Sequence, residues 1–186
     1  MKEVRLHGRG GQGIVLAAEM LAKALVSEGK HVASFPMFGV ERRGAPVTAY
    51  LRFDDKPIRE KTQIYHPDCL IVTDPIMKTW PAVFSGLKDK GVLILNSSMQ
   101  EKEKPHGNVQ TMGLVNANRI ALEETGRTIP NTCIAGAFAG TTGWIELDSL
   151  LACFQAYFQG DLLERNIKCA ERGFHEVAVR RFKDSE

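Results

Sequence analysis

Val4-Arg5-Leu6-His7-Gly8-Arg9-Gly10-Gly11-Gln12-Gly13, followed by a mostly apolar run over residues 14–26, decides the fold. A short buried strand over residues 3–8 enters a turn with four glycines in six positions. A helix over 13–28 leaves it, with Ile14, Ala17, Ala18, Leu21, Ala24 and Leu25 at helical spacing. Its alanines call for close approach to a sheet, and Gly29 stands where a C-cap belongs. Gly8-x-Gly10-x-x-Gly13 fits the phosphate turn of a βα unit, whose Cβ-free positions let a ligand or a neighbouring chain reach the backbone. Amides at the start of such a helix accept anions. The turn has a second reading, tight packing alone; Arg9 and Gln12 favour a ligand, because packing does not ask for a guanidinium there. A nicotinamide site also wants a carboxylate about 20 residues beyond the turn. That region reads Ser34-Phe35-Pro36-Met37, and Glu41 comes only inside the irregular segment that follows.

Working outward, residues 32–36 read as a second strand. The segment from Phe38 to Pro46 is too irregular for an element and too apolar at its front for a solvated loop. Val47, Ala49, Leu51 and Phe53 alternate with Thr48, Tyr50 and Arg52, a half-buried strand closed by the turn chemistry of Asp54-Asp55-Lys56-Pro57. Cys69-Leu70-Ile71-Val72-Thr73 is a strand covered on both faces, and 91–95 repeats its pattern. A short helix is predicted near 78–87, a surface loop at 100–104 and a final strand at 108–112. Helices follow over 114–125 with Gly126 as C-cap, 131–140 with Asn131 as N-cap, 148–158, and 161–181, where Asp161 and Glu164 form a variant capping box. The alternation predicts one α/β domain over 1–186, a mixed, mostly parallel sheet with helices on both faces and a helical C-terminal third. The strand after Pro46 is its antiparallel member.

Composition narrows the function classes. The 24 basic residues nearly match 22 acids, so the net charge of +2 gives no bulk attraction to nucleic acid or membrane. No apolar run approaches the ~20 residues of a membrane span, and no leader fits ahead of the first strand. A cytoplasmic chain is expected. Cys69, Cys133, Cys153 and Cys169 form no C-x-x-C pair, which predicts buried reduced thiols rather than a metal or cluster site. His7, His31, His66, His106 and His175 are scattered, and Asp74 precedes a proline as turn-formers do, so no catalytic residue is assigned. Glu41-Arg42-Arg43-Gly44 has three readings: an anion grip, a solvated turn, or a subunit interface anchored by Phe35, Met37 and Phe38. The interface reading is preferred.

The glycine turn, the segment Phe35-Pro36-Met37-Phe38-Gly39-Val40-Glu41-Arg42-Arg43-Gly44-Ala45-Pro46-Val47, then Asp55-Lys56-Pro57-Ile58, Ile71-Val72-Thr73-Asp74, Ile129-Pro130-Asn131-Thr132 and Gly136-Ala137-Phe138 together resemble the gamma subunit of pyruvate:ferredoxin oxidoreductase. Glu-Arg-Arg-Gly-Ala-Pro points to the pyruvate branch; gamma chains for 2-oxoglutarate, 2-oxoisovalerate or indolepyruvate share the turn. The resemblance implies a multi-subunit enzyme that interconverts pyruvate plus coenzyme A with acetyl-CoA plus CO2, with ferredoxin as electron partner. It places thiamine diphosphate, Mg2+ and [4Fe-4S] clusters on alpha, beta and delta partner subunits and no cofactor on this chain. In accord with that, the one near match to a diphosphate motif, Gly160-Asp161-Leu162, fails at its third position. Gly8, Arg9, Gly10, Gly11, Gln12, Gly13, Arg42 and Arg43 are the candidates for binding coenzyme A or another anion. A free-standing nucleotide-binding protein stands as the alternative.

Overall fold

The first helix sets the spacing of the layers. In α1 (Ile14–Ser27) the buried stripe is Ile14, Ala17, Ala18, Met20, Leu21, Ala24 and Leu25, small enough in places to lie flat on a sheet. The computed structural model describes residues 1–37, 44–98, 101 and 103–183. Seven strands form one sheet: β1 (Lys2–Arg9), β2 (His31–Met37), β3 (Pro46–Asp54), β4 (Cys69–Val72), β5 (Gly91–Asn96), β6 (Val109–Val115) and β7 (Ala178–Arg181), in the order β2-β3-β1-β4-β5-β6-β7. The central strands β1, β4, β5 and β6 run parallel. At one edge β3 is antiparallel to β1, in the register Val4↔Leu51, and β2 is antiparallel to β3; at the other edge β7 is antiparallel to β6.

Helices lie on both faces, unequally. α1, α3 (Ala117–Thr125), α4 (Asn131–Thr142), α5 (Leu147–Cys153) and α6 (Gly160–Glu176) share one core with Val4, Leu6, Leu51, Ile71 and Ile94. A 3-10 turn (Pro75–Thr79) and the single-turn α2 (Pro81–Phe84) cover Leu70, Val72, Leu93 and Leu95 on the other face. Every residue of α4 from Asn131 to Ala139 is buried, because α6 covers it from outside. A Cβ on Gly136 would overlap the Ala170 carbonyl and one on Gly173 the Cys133 carbonyl, so the two helices touch backbone to backbone. Phe138 and Phe154, fully buried here, each contribute about 1.5–3 kcal/mol by burial.

The structure departs from the sequence expectations at several ends. The helix expected over 78–87 is split because Pro81 follows an extended Trp80. The last helix stops at Glu176, where Val177 turns extended, and its final residues become β7, so 108–112 is not the last strand. Residues 114–115 belong to β6, and Asn116 caps α3 by accepting from the Arg119 amide at 3.2 Å. α5 ends at Cys153, with a 3-10 turn over Phe154–Ala156 after it. Asn131 is the first helical residue rather than the cap, which is Pro130. Asp161 makes an ion pair with Arg165 at 2.7 Å instead of capping α6, whose N-cap is Gln159.

β3 was expected to be half-buried, yet Tyr50 and Arg52 on its second face are buried too. Segment 55–67 crosses that face, held by two buried arginines. Arg52 donates to Glu3 at 2.9 Å and to the Gln63 carbonyl at 3.0 Å. Arg5 donates to the Ile64 carbonyl at 3.3 Å, and also to those of Val83 at 2.7 Å and Ser85 at 2.9 Å. Among the described residues no helix is long and apolar enough to cross a membrane.

Candidate functional site: the glycine turn and its cleft

The glycines of the turn divide by role. A Cβ on Gly8 would lie 2.6 Å from Ile14 Cγ1 and overlap the Thr73 hydroxyl. One on Gly13, whose φ is +73, would lie 2.7 Å from Asn131 Nδ2. Packing alone therefore requires these two. Gly11, with φ of +97, meets open space and faces the cleft.

The polar side chains of the turn are turned inward. Gln12 Oε1 accepts from the Arg9 amide at 2.8 Å and from the Thr73 hydroxyl at 2.9 Å. Arg9 donates through Nε to Asp74 and through Nη1 to the Gly44 carbonyl at 3.2 Å, and its guanidinium lies 5.5 Å from the Trp80 ring centre. The Gly10 amide donates to the Ala45 carbonyl at 2.9 Å, stitching the turn to the start of β3. His7 is held neutral. Its Nε2 accepts from Arg5 Nε at 2.9 Å, which assigns the ring proton to Nδ1 beside Thr48. Burial, then the Arg5 charge, push its pKa down to about 3.

Above the turn opens a cleft of about 920 Å³, near the upper end of the range for small-molecule sites. Val15, Leu16, Val47, Ile129, Phe158 and Leu162 form its apolar wall, and Arg127, Asn131 and Asn166 supply polar groups. First-turn residues of both α1 and α4 line it. Neither helix has an acid in its first turn, and although Asn131 Oδ1 takes up the Thr132 amide at 2.9 Å, the positive dipole ends of both helices face the cleft. Asn166 is fixed from behind, its Oδ1 accepting from the Thr132 hydroxyl at 3.0 Å.

The sequence thus located one wall, Gly8 to Gly13. It missed Arg127, Asn131, Phe158, Leu162 and Asn166, which no spacing connects to a turn more than a hundred positions away; only the quoted Ile129-Pro130-Asn131-Thr132 segment touched that wall. Arg42 and Arg43 lie outside the described residues. All four cysteines are free and buried, and burial pushes the Cys153 thiol up to about 11. Cys133 and Cys169 adjoin between α4 and α6, while Cys69 lies in β4 and Cys153 donates to the Met20 carbonyl at 3.4 Å. Among the described residues no three His, Cys, Asp or Glu side chains gather to ligate a metal, and this thiol arrangement does not fit an iron–sulfur cluster.

Fold and cleft together define an α/β protein in which a glycine turn and the N-terminal residues of α1 and α4 line one cleft. The family described as pyruvate ferredoxin/flavodoxin oxidoreductase matches residues 3–176, and the chain belongs to that family as a gamma subunit of the 2-oxoacid oxidoreductases. It is 50% identical over 182 residues to the pyruvate/ketoisovalerate oxidoreductases common subunit gamma of Thermococcus kodakarensis, covering 96% of this chain and 98% of that one. To the gamma subunit of NADH-dependent phenylglyoxylate dehydrogenase from Aromatoleum evansii it is 47% identical, covering 96% and 95%. The crystal structure of the pyruvate oxidoreductase subunit PORC from Thermotoga maritima superposes with a TM-score of 0.85 at 33% identity, over 96% of this chain and 97% of that one.

Proposed function

We propose that this chain is the gamma subunit of a pyruvate:ferredoxin oxidoreductase and that its cleft receives part of coenzyme A. The observation that carries the reading is the convergence of the α1 and α4 N-termini on one largely apolar cleft. Coenzyme A has the complementary chemistry, phosphates for the free amides and a long, weakly polar arm for Val15, Leu16 and Phe158. Arg127 is exposed at the cleft and supplies a cation for a phosphate. Gly11, with no side chain and open space before it, lets the ligand reach the backbone. The chain's own part is to bind and orient the thiol substrate and exclude water from it.

Thiamine diphosphate with Mg2+ and the [4Fe-4S] clusters, on alpha, beta and delta partners, supply decarboxylation and electron transfer to ferredoxin. Pyruvate as substrate is supported by the Glu41-Arg42-Arg43-Gly44-Ala45-Pro46 segment and by the names of two of the relatives. A different 2-oxoacid, and a different electron acceptor, is the second reading, favoured by the phenylglyoxylate relative at 47% identity. The test is to purify the native assembly and assay pyruvate-dependent reduction of ferredoxin with and without coenzyme A. An assembly holding iron and thiamine diphosphate, in which R127E raises KM for coenzyme A severalfold, and R42E/R43E does the same, supports the reading. Turnover of the isolated chain, or an unchanged KM in both variants, overturns it.

A further inference from the structure

Arg9 was the turn's most inviting anion ligand in the sequence, and its surroundings give it another task. Its guanidinium is met by three segments at once: the Asp74 carboxylate after β4, the Gly44 carbonyl before β3, and the Trp80 ring. Asp74 cannot follow a moving partner. Its side chain is only 9% exposed, and its second oxygen accepts from the Ile76 amide at 3.0 Å, capping the 3-10 turn. Backbone bonds run beside this bridge, from the Gly10 amide to Ala45 at 2.9 Å and from the Gly44 amide to Gly10 at 3.3 Å.

We infer that Asp74 and Arg9 form a strut at the mouth of the cleft, with Asp74 the positioning residue that fixes Gly44 and the glycine turn relative to each other without touching the ligand. The inference rests on the reading that coenzyme A enters this cleft. Arg9 also lines the cleft, but its Nε and Nη1 go to Asp74 and Gly44 and its face lies over Trp80, so the anion falls first to the α1 and α4 amides and Arg127. Gly44 has φ of +87, so the strut also fixes the entry to β3. Removing either member unties the same corner, so the two losses do not add.

The experiment uses the assembled enzyme carrying D74N, R9Q, the D74N/R9Q pair, D74E and R127E, measuring kcat and KM for coenzyme A and for pyruvate over a range of salt. A strut gives a rise of about tenfold in KM for coenzyme A, one charge-assisted hydrogen bond's worth, alike in D74N, R9Q and the pair. The kcat, the KM for pyruvate and the salt dependence of coenzyme A binding stay at wild-type values, and D74E recovers most of the affinity. A ligand-contacting Arg9 would instead flatten the salt dependence in R9Q and leave D74N near wild type. That result, or KM values within twofold in D74N and R9Q while R127E weakens binding, overturns the strut and leaves the cleft reading standing. No effect in R127E, together with none in R42E/R43E, overturns the cleft reading itself. If D74N does not assemble, R9Q and D74E carry the same comparison.

Discussion

Lowering the pH should weaken the fold through His7. Its pKa moves from the ordinary 6.5 down to about 3 in the folded chain, because burial and the adjacent Arg5 disfavour the imidazolium. The depressed value means that the folded state resists protonation while the unfolded state takes it up. Stability is therefore complete above about pH 6.5 and is lost progressively toward pH 3. A shift of one unit corresponds to about 1.4 kcal/mol, so the loss is about 2 kcal/mol at pH 5 and approaches a ceiling of about 5 kcal/mol at the acid limit. The carboxylates of Glu101, held below its ordinary range by Lys78, and of Glu123 and Glu176, held down by Arg172, come into play only below their ordinary value of 4.5. The window from pH 8 to pH 5 thus isolates the histidine effect. Guanidinium denaturation of the purified chain, followed by tryptophan emission, should show the 2 kcal/mol loss over that window. In H7Q, whose amide oxygen can still accept from Arg5 Nε, the loss should disappear. Parallel pH profiles for the wild type and H7Q would refute the argument.

Three further outcomes follow from the packing. Gly13→Ala should destabilise the chain more than Gly11→Ala in thermal melts: both incur the left-handed backbone cost of about 1–2 kcal/mol, but only the first drives a methyl into Asn131. Gly173→Ala should lower the melting temperature through about 1–3 kcal/mol of overpacking, since its methyl must push α6 away from the Cys133 carbonyl of α4. Iodoacetamide should modify none of the four cysteines in the native protein and all of them after denaturation, as read by intact mass.

The sheet was legible because local patterns carry it. The apolar run Cys69-Leu70-Ile71-Val72, the alternation of Ala49, Leu51 and Phe53 and the alanine stripe of α1 each bury the residues their periodicity marks. β7 was not legible, because Val177-Ala178-Val179-Arg180-Arg181 is short and follows α6 without a glycine or proline to break the helix, and it becomes a strand only by pairing with β6, in the register Gly113↔Val179. Nor was the burial of Arg5 and Arg52: charged residues on alternate strand positions read as solvent-facing until segment 55–67 is seen lying over them. At the site, the glycine pattern marked the right turn but did not separate Gly8 and Gly13, which packing demands, from Gly11, which faces the cleft. The far wall depends on α4 being sandwiched between sheet and α6, a tertiary fact with no local signal.

The cleft is tested most directly by amide hydrogen exchange in the assembled enzyme, with and without saturating coenzyme A. The amides at 11–16 and at 131–133 should exchange more slowly when the ligand is present. Unchanged exchange at both segments in an enzyme shown to be saturated would contradict a coenzyme A site at the α1 and α4 N-termini.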